Sequence, residues 1–171
     1  PVRWPSDWPA GCGGLSLSGA TLLAHAFFRF GFYPILGGPT PEFDRADTLQ
    51  WMGRFLGRIH AVGAQAVFLH RPTLDLSIFG TASRDFLRSG NWLPPDLARA
   101  WDSVVDHALR SVAHCYQRAG EVRAIRLHGD CHAGNVLWTD SGPHFVDFDD
   151  SRMGPAIQDL WMLLSGERDE Q

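Results

Sequence analysis

The sequence contains no lysine, for all fifteen of its basic residues are arginine. Chemistry that needs an ammonium group must draw it from outside these residues. Cysteine is nearly as scarce, with only Cys12, Cys115 and Cys131. Three widely spaced thiols without a Cys-x-x-Cys pair argue against both a disulfide framework and a zinc site, so reduced thiols are expected. No apolar run approaches the about eighteen residues of a membrane span, and residues 1–8 lack the charged-then-apolar order of a signal peptide. The net charge is −4 and the arginines are scattered, so there is no basic stripe to neutralise a phosphate backbone. A cytoplasmic protein with neither nucleic acid nor membrane as partner is the reading these absences leave.

What is present is ordinary for a folded domain. Hydrophobic residues make up 44% of the 171 and charged residues 20%, enough chain for one core. The chain opens on Pro1, and residues 1–20 mix Pro, Gly, Ser and Trp without periodicity, which reads as an irregular cut edge. Residues 21–36 are aromatic and apolar, reading as one or two strands that end at Gly37-Gly38-Pro39. From Phe43 to Val62, Leu49, Met52, Phe55, Leu56 and Ile59 recur at three- and four-residue steps, which predicts an amphipathic helix with Asp44 as N-cap and Gly63 as stop. Residues 64–93 are mixed, with a short helix near 82–88. A second long helix begins at Pro94-Pro95-Asp96 and runs to Gly120, with Trp101 and Tyr116 assigned to the core by period.

The period then changes to two, predicting strands at Val122–Leu127, Asn135–Trp138 and His144–Phe148. The turn Asp140-Ser141-Gly142-Pro143 makes the last two a hairpin. After Gly154-Pro155, the run Ala156–Leu164 reads as a helix that breaks off in a charged tail.

The chemistry-bearing residues cluster at His128-Gly129-Asp130-Cys131-His132-Ala133-Gly134-Asn135, followed by Asp147. Moving a phosphoryl group requires a metal such as Mg²⁺, which takes hard oxygen ligands, and Asn135 and Asp147 can supply them. It also requires a carboxylate to accept the proton of the attacking hydroxyl, placed four to five residues before the Asn in kinase loops, and Asp130 stands there. Asp, Asn and Gly are also common turn residues, but the spacing of the whole set disfavours a mere turn. Histidines 128 and 132 invite a zinc reading; zinc pairs at this spacing sit on a helix, and the glycines here make a loop. His128 is expected to pack beneath the loop and bond backbone carbonyls. His60 and His70 read as core or core-edge residues, and Cys131 as an inert packed thiol.

The strings RLHGDCHAGNVLW and HFVDFDDSRMGPAIQDLWMLLSG, with LGRIHAVG (56–63) and FLHRPTLDL (68–76), closely resemble the stress response kinase A family of bacteria. These are serine/threonine protein kinases with the fold of aminoglycoside phosphotransferases and choline kinases, and the resemblance covers about residues 20–166. It implies an α+β protein-kinase-like fold, represented mainly by a helical C-lobe with a catalytic β-hairpin. Residues 21–38 would be the end of the N-lobe and the inter-lobe linker, and 39–171 a partial C-lobe. It implies ATP as co-substrate and Mg²⁺ as cofactor, with Asp130 the catalytic base and Asn135 and Asp147 the metal and nucleotide ligands. Asp159 would buttress the catalytic loop by accepting backbone N–H bonds. The segment FYPILGG (32–38), with Ile35 as the candidate residue, would meet the adenine ring.

The acceptor implied is serine or threonine of a protein. The alternatives are a small-molecule kinase acting on an aminoglycoside, choline or homoserine, or a non-catalytic binding remnant. Kinases of this kind pair the phosphates with a strand lysine, and none is here. The chain therefore reads as a fragment of a longer, monomeric kinase, and is expected to be inactive alone.

Overall fold

The computed structural model describes residues 23–31, 37–90 and 92–164. Residues 1–20, most of the linker including Ile35, and the charged tail lie outside them. The described elements alternate short strands and helices, an α+β arrangement. A small antiparallel hairpin, β1 (Leu23–His25) and β2 (Phe28–Phe30), comes first, with Phe27 and Phe28 exposed at its tip.

Helix α1 spans Ala46–Gly63. Its buried residues Thr48, Met52, Leu56, Ile59 and Gly63 follow the three- and four-residue steps of one helix face. Asp44 is not its N-cap. Arg45 occupies that position without a side-chain cap bond, and Asp47 in the first turn accepts the Thr48 N–H at 3.0 Å, placing a negative charge at the positive helix end. At the other end Arg126 donates to the carbonyl of Val62 at 3.0 Å, capping the last turn.

A turn of π-helix (Leu76–Thr81) leads into α2 (Ala82–Ser89), and α3 follows over Pro95–Ala119, with proline in its first turn. Arg88 pairs with Asp102 at 2.6 Å and Asp106 at 3.1 Å, fastening α2 to α3 across the surface. No residue of α3 is buried, so Trp101 and Tyr116 are half-exposed rather than core. The physical reason is sparse cover: the π-turn packs on α3 and α2 is tied to it by surface ion pairs, while Leu97 and Val104 stay exposed.

The expected first strand of the C-terminal half contracts to β3 (Ile125–Arg126), because its partner β6 (Met153–Gly154) offers only two residues for pairing. The hairpin is formed by β4 (Val136–Thr139) and β5 (Gly142–Phe145). Its turn is two residues long, Asp140-Ser141, and Pro143 belongs to β5 opposite Trp138. Gly142 has φ +107, and a Cβ there would press on the rings of Trp51 and Phe55. Glycine thus lets the hairpin sit directly on α1.

After β6 the chain makes two 3₁₀ turns, Ala156–Asp159 and Trp161–Leu163, in place of the expected α-helix. Its N–H groups bond three residues back, as Gln158 does to Pro155 and Leu163 to Leu160. The tight winding accompanies the anchoring of Asp159 described below. The core joins α1 to the hairpin: Met52, Leu56, Ile59, Cys131, Val136, Phe145 and Leu163 form one buried cluster. Each such side chain, fully buried, is worth about 1.5–3 kcal/mol relative to exposure, so the loop between β3 and β4 rests on the best-packed part of the molecule.

Candidate active site

The loop His128–Asn135 leaves β3 and enters β4, and its conformation is set from below. Asp159 is completely buried, and its carboxylate accepts the N–H of His128 at 3.0 Å and of Gly129 at 2.9 Å. Gly129 has φ +93, and a Cβ there would collide with the Asp150 carbonyl. Only glycine makes that turn without strain.

His128 is fully buried. Its Nε2 lies 2.8 Å from the Val146 carbonyl and its Nδ1 3.4 Å from the Asp130 N–H. A carbonyl only accepts and an N–H only donates, so the ring is the neutral tautomer with hydrogen on Nε2. Burial pushes its pKa below the ordinary histidine value despite the Val146 carbonyl and nearby carboxylates, in keeping with that neutral form. Phe148 packs on the ring with centroids 4.5 Å apart. His128 is therefore a strut between the loop and the strand end that carries Asp147.

On this base Asp130 and Asn135 meet. The Asn135 Nδ2 donates to the Asp130 carbonyl at 2.9 Å and to its Oδ2 at 3.2 Å, so Asp130 and Asn135 face one another. Asn135 is buried and Asp130 half-exposed. The Val146 N–H donates to the Asn135 carbonyl at 3.0 Å, one residue before Asp147. Asp147 is exposed and has φ +62, a left-handed conformation that few non-glycine residues adopt. Its carboxylate has no hydrogen-bond or ion-pair partner among the described residues.

This donor set suits a hard cation. With its nitrogen committed to Asp130, Asn135 has its amide oxygen to offer, and Asp147 has a whole carboxylate. No group of three or more His, Cys, Asp or Glu residues that could hold a metal ion occurs among the described residues. Two protein oxygens completed by phosphate and water are what Mg²⁺ commonly takes, whereas zinc needs a fuller protein cage. The histidines do not form a zinc pair. His128 is buried under the loop, while His132 accepts the Gly134 N–H on Nδ1 at 3.0 Å and holds Nε2 3.6 Å from Asp130 Oδ2.

Cys131 is fully buried, and burial raises its thiol pKa to about 12, so it is an inert core group within the loop. Asp150 pairs with Arg152, whose guanidinium covers the Phe79 ring at 4.9 Å. Two residues gain roles that no local pattern announced. His60 places Nε2 2.9 Å from Asp159 Oδ2, and Arg71 bonds the carbonyls of Asp149 and Ser151. His60 lies on α1, where it reads only as a core-edge residue, and Arg71 in a segment singled out by resemblance; the contacts span 99 and about 80 residues of sequence. His70 is exposed and away from any core.

Asp130 and Asn135 thus face one another in one loop above the buried Asp159, with Asp147 exposed just past the end of the hairpin. The chain belongs to the APH phosphotransferase enzyme family, whose model matches residues 13–171. It is 43% identical over 157 residues to stress response kinase A of Escherichia coli O157:H7, covering 92% of this chain and 47% of that protein. To the serine/threonine protein kinase RdoA of Salmonella typhimurium it is 42% identical, with the same coverage. The chain thus spans about half the length of the curated relatives it matches.

Among solved structures, amicoumacin kinase hAmiN in complex with AMP-PNP, Ca²⁺ and Ami aligns with a TM-score of 0.59 at 19% identity, over 86% of this chain and 45% of that one. Spectinomycin phosphotransferase APH(9)-Ia, in complex with ADP and spectinomycin, aligns at 0.51 and 20% identity, over 84% and 49%. At such identities the likeness concerns the fold, which is the α+β protein-kinase-like fold of these phosphotransferases.

Proposed function

We propose that the protein carrying this chain transfers the γ-phosphoryl group of ATP to a hydroxyl, most naturally a serine or threonine of a protein. The observation that carries this reading is the Asn135 amide bonded to the Asp130 carboxylate at 3.2 Å. It holds one oxygen of Asp130 and commits the amide nitrogen, which leaves the Asn135 amide oxygen to offer to a cation. Asp130 takes the proton of the acceptor hydroxyl as its oxygen bonds to the γ-phosphorus and the bond to the ADP oxygen breaks. Mg²⁺, held by Asn135 and Asp147, would neutralise charge on the phosphates. The structural duty of Asp159 is to keep the Asp130 loop from yielding as charge develops.

A protein acceptor is favoured over a small molecule because the relatives at 42–43% identity bear protein-kinase and stress-response names, while the small-molecule kinases stand at 19–20%. Ile35 and its neighbours 32–38 remain our candidates for the adenine contact, with 21–38 as the end of an N-lobe and 39–171 as part of a C-lobe. Without a lysine to clamp the phosphates, these residues alone are expected to turn over ATP far more slowly than a protein with both lobes. The whole protein is read as a cytoplasmic monomer; among the described residues no helix is long and apolar enough to cross a membrane.

The test is label transfer from γ-labelled ATP to a generic serine/threonine protein acceptor, run beside an aminoglycoside, choline and homoserine. Transfer to protein alone supports the reading. Preferential transfer to one of the small hydroxyl compounds would replace it with the small-molecule reading, and no transfer by a lysine-containing two-lobed protein would leave a binding role.

A further inference from the structure

The loop from Asp147 to Arg152 carries three features that are unfavourable on their own. Asp147 sits at φ +62, which a side-chain-bearing residue holds only when its surroundings enforce it. Ser151 is 1% exposed, and its hydroxyl has no hydrogen-bond partner. Asp147, Asp149 and Asp150 place three carboxylates within four residues, of which only Asp150 has an ion-pair partner among the described residues. Such a loop needs a clamp from outside itself.

Arg71 is placed to be that clamp. Its Nη1 donates to the Asp149 carbonyl and, at 3.0 Å, to the Ser151 carbonyl. The residues after it extend the contact: Leu74 N–H donates to the Met153 carbonyl at 2.6 Å, and Met153 N–H to the Pro72 carbonyl at 3.2 Å. The guanidinium thus bonds main chain rather than a carboxylate, while setting a positive charge beside the acidic loop. Asp147 lies two residues before the first clamped carbonyl.

We infer that Arg71 is a positioning residue for Asp147, acting through the loop backbone to hold the carboxylate where it can meet a divalent cation. Nothing in the chemistry requires Arg71 to touch substrate. The inference rests on the reading of Asn135 and Asp147 as metal ligands, and the experiment separates the two.

Mn²⁺ binding to the purified protein is measured by electron paramagnetic resonance, and amide exchange is followed over residues 146–153, neither of which needs turnover. Arg71→Met is expected to weaken Mn²⁺ binding roughly 10–100-fold, as loss of outer-shell support does at metal sites. It is also expected to speed exchange at Ser151 and Met153. Arg71→Lys, with three donors on a flexible stem, is expected to recover part of both. Arg71→Gln, which loses the charge but keeps an amide donor, is read in the same way should the methionine variant not fold. Unchanged Mn²⁺ binding in the Arg71 variants beside impaired binding in Asp147→Asn would overturn the clamp and spare the metal site. Unchanged binding in Asp147→Asn as well would overturn the metal reading and the clamp's purpose with it.

Discussion

The imidazole of His60 meets the carboxylate of Asp159 at 2.9 Å, joining α1 to the segment beneath the His128–Asn135 loop across 99 residues of sequence. The same carboxylate also accepts the N–H groups of His128 and Gly129, so one buried anion ties together three parts of the chain. Asp159→Asn presents an NH₂ to donors that require an acceptor, leaving at least one buried N–H unpaired. Stability should fall by about 2–4 kcal/mol, the scale of losing hydrogen bonds to a buried charged group. His60→Gln, which can still donate to the carboxylate, should cost less. Urea denaturation of both variants checks the order, and equal, negligible losses would show that Asp159 does not hold the loop.

The two aspartates of the site should fail differently. Asp130→Asn removes the proton acceptor, and turnover is expected to drop on the order of 10²–10⁴-fold with nucleotide binding retained. Asp147→Asn weakens the metal site, so its loss should be partly recovered by raising Mg²⁺. A Mg²⁺ titration of each variant decides, and identical unimpaired metal dependence would contradict this division of roles.

How much of this was legible in advance depends on range. The steps of Met52, Leu56 and Ile59, the Pro95 start of α3 and the Asp140–Pro143 turn signal are local patterns, and each produced its element, the turn tightened to Asp140-Ser141. The meeting of Asp130 with Asn135 is likewise local, because the two stand five residues apart in one loop. Contacts between distant segments leave no such trace: the two-residue pairing of β3 with β6, the His60–Asp159 bond and the Arg71 contacts are invisible to any window. The helix expected over 156–164 failed for a related reason, since its apolar run is periodic enough for α while the structure winds it as 3₁₀ around an anchored Asp159. Trp101 and Tyr116 fit a helix face, but period names the face and not whether anything covers it.

Gly129 provides a test of the loop's geometry. Gly129→Ala demands a left-handed alanine, costing about 1–2 kcal/mol by itself, and drives a methyl group into the Asp150 carbonyl. Both stability and turnover should fall, seen as a lower thermal midpoint and a reduced rate at saturating nucleotide. A variant as stable and as active as the parent would mean that the turn at 129 is free to relax.

Cys131 should make stability sensitive to alkali. Its thiol rises from an ordinary 9.0 to about 12 in the folded chain. Between those values the unfolded chain has lost a proton that the folded chain keeps, so stability is full below pH 9 and declines as pH rises toward 12. Cys131→Ala should flatten that part of the denaturation profile while lowering stability overall through the cavity it leaves. Alkylation gives a second reading: in the native chain, iodoacetamide should modify exposed Cys115 and leave Cys131 untouched. Equal labelling of the two under native conditions would show that the core around Cys131 opens.

At the acid end the sensitive group is His128. Its folded pKa lies below the ordinary 6.5 because the ring is buried, and both of its nitrogens are committed to the neutral form. Below pH 6.5 the unfolded chain gains a proton that the folded chain resists, so stability is fully present above that value and is lost as pH falls below it. A proton forced onto Nδ1 would face the Asp130 N–H, donor against donor, and would loosen the loop at the residue assigned to take the substrate proton. His128→Gln retains an amide donor for the Val146 carbonyl and cannot be protonated, so it should lower stability at neutral pH yet remove much of the slope between pH 7 and 5. Denaturation midpoints for both chains across that interval provide the check. Parallel curves would place the acid sensitivity elsewhere and strip His128 of its part in it.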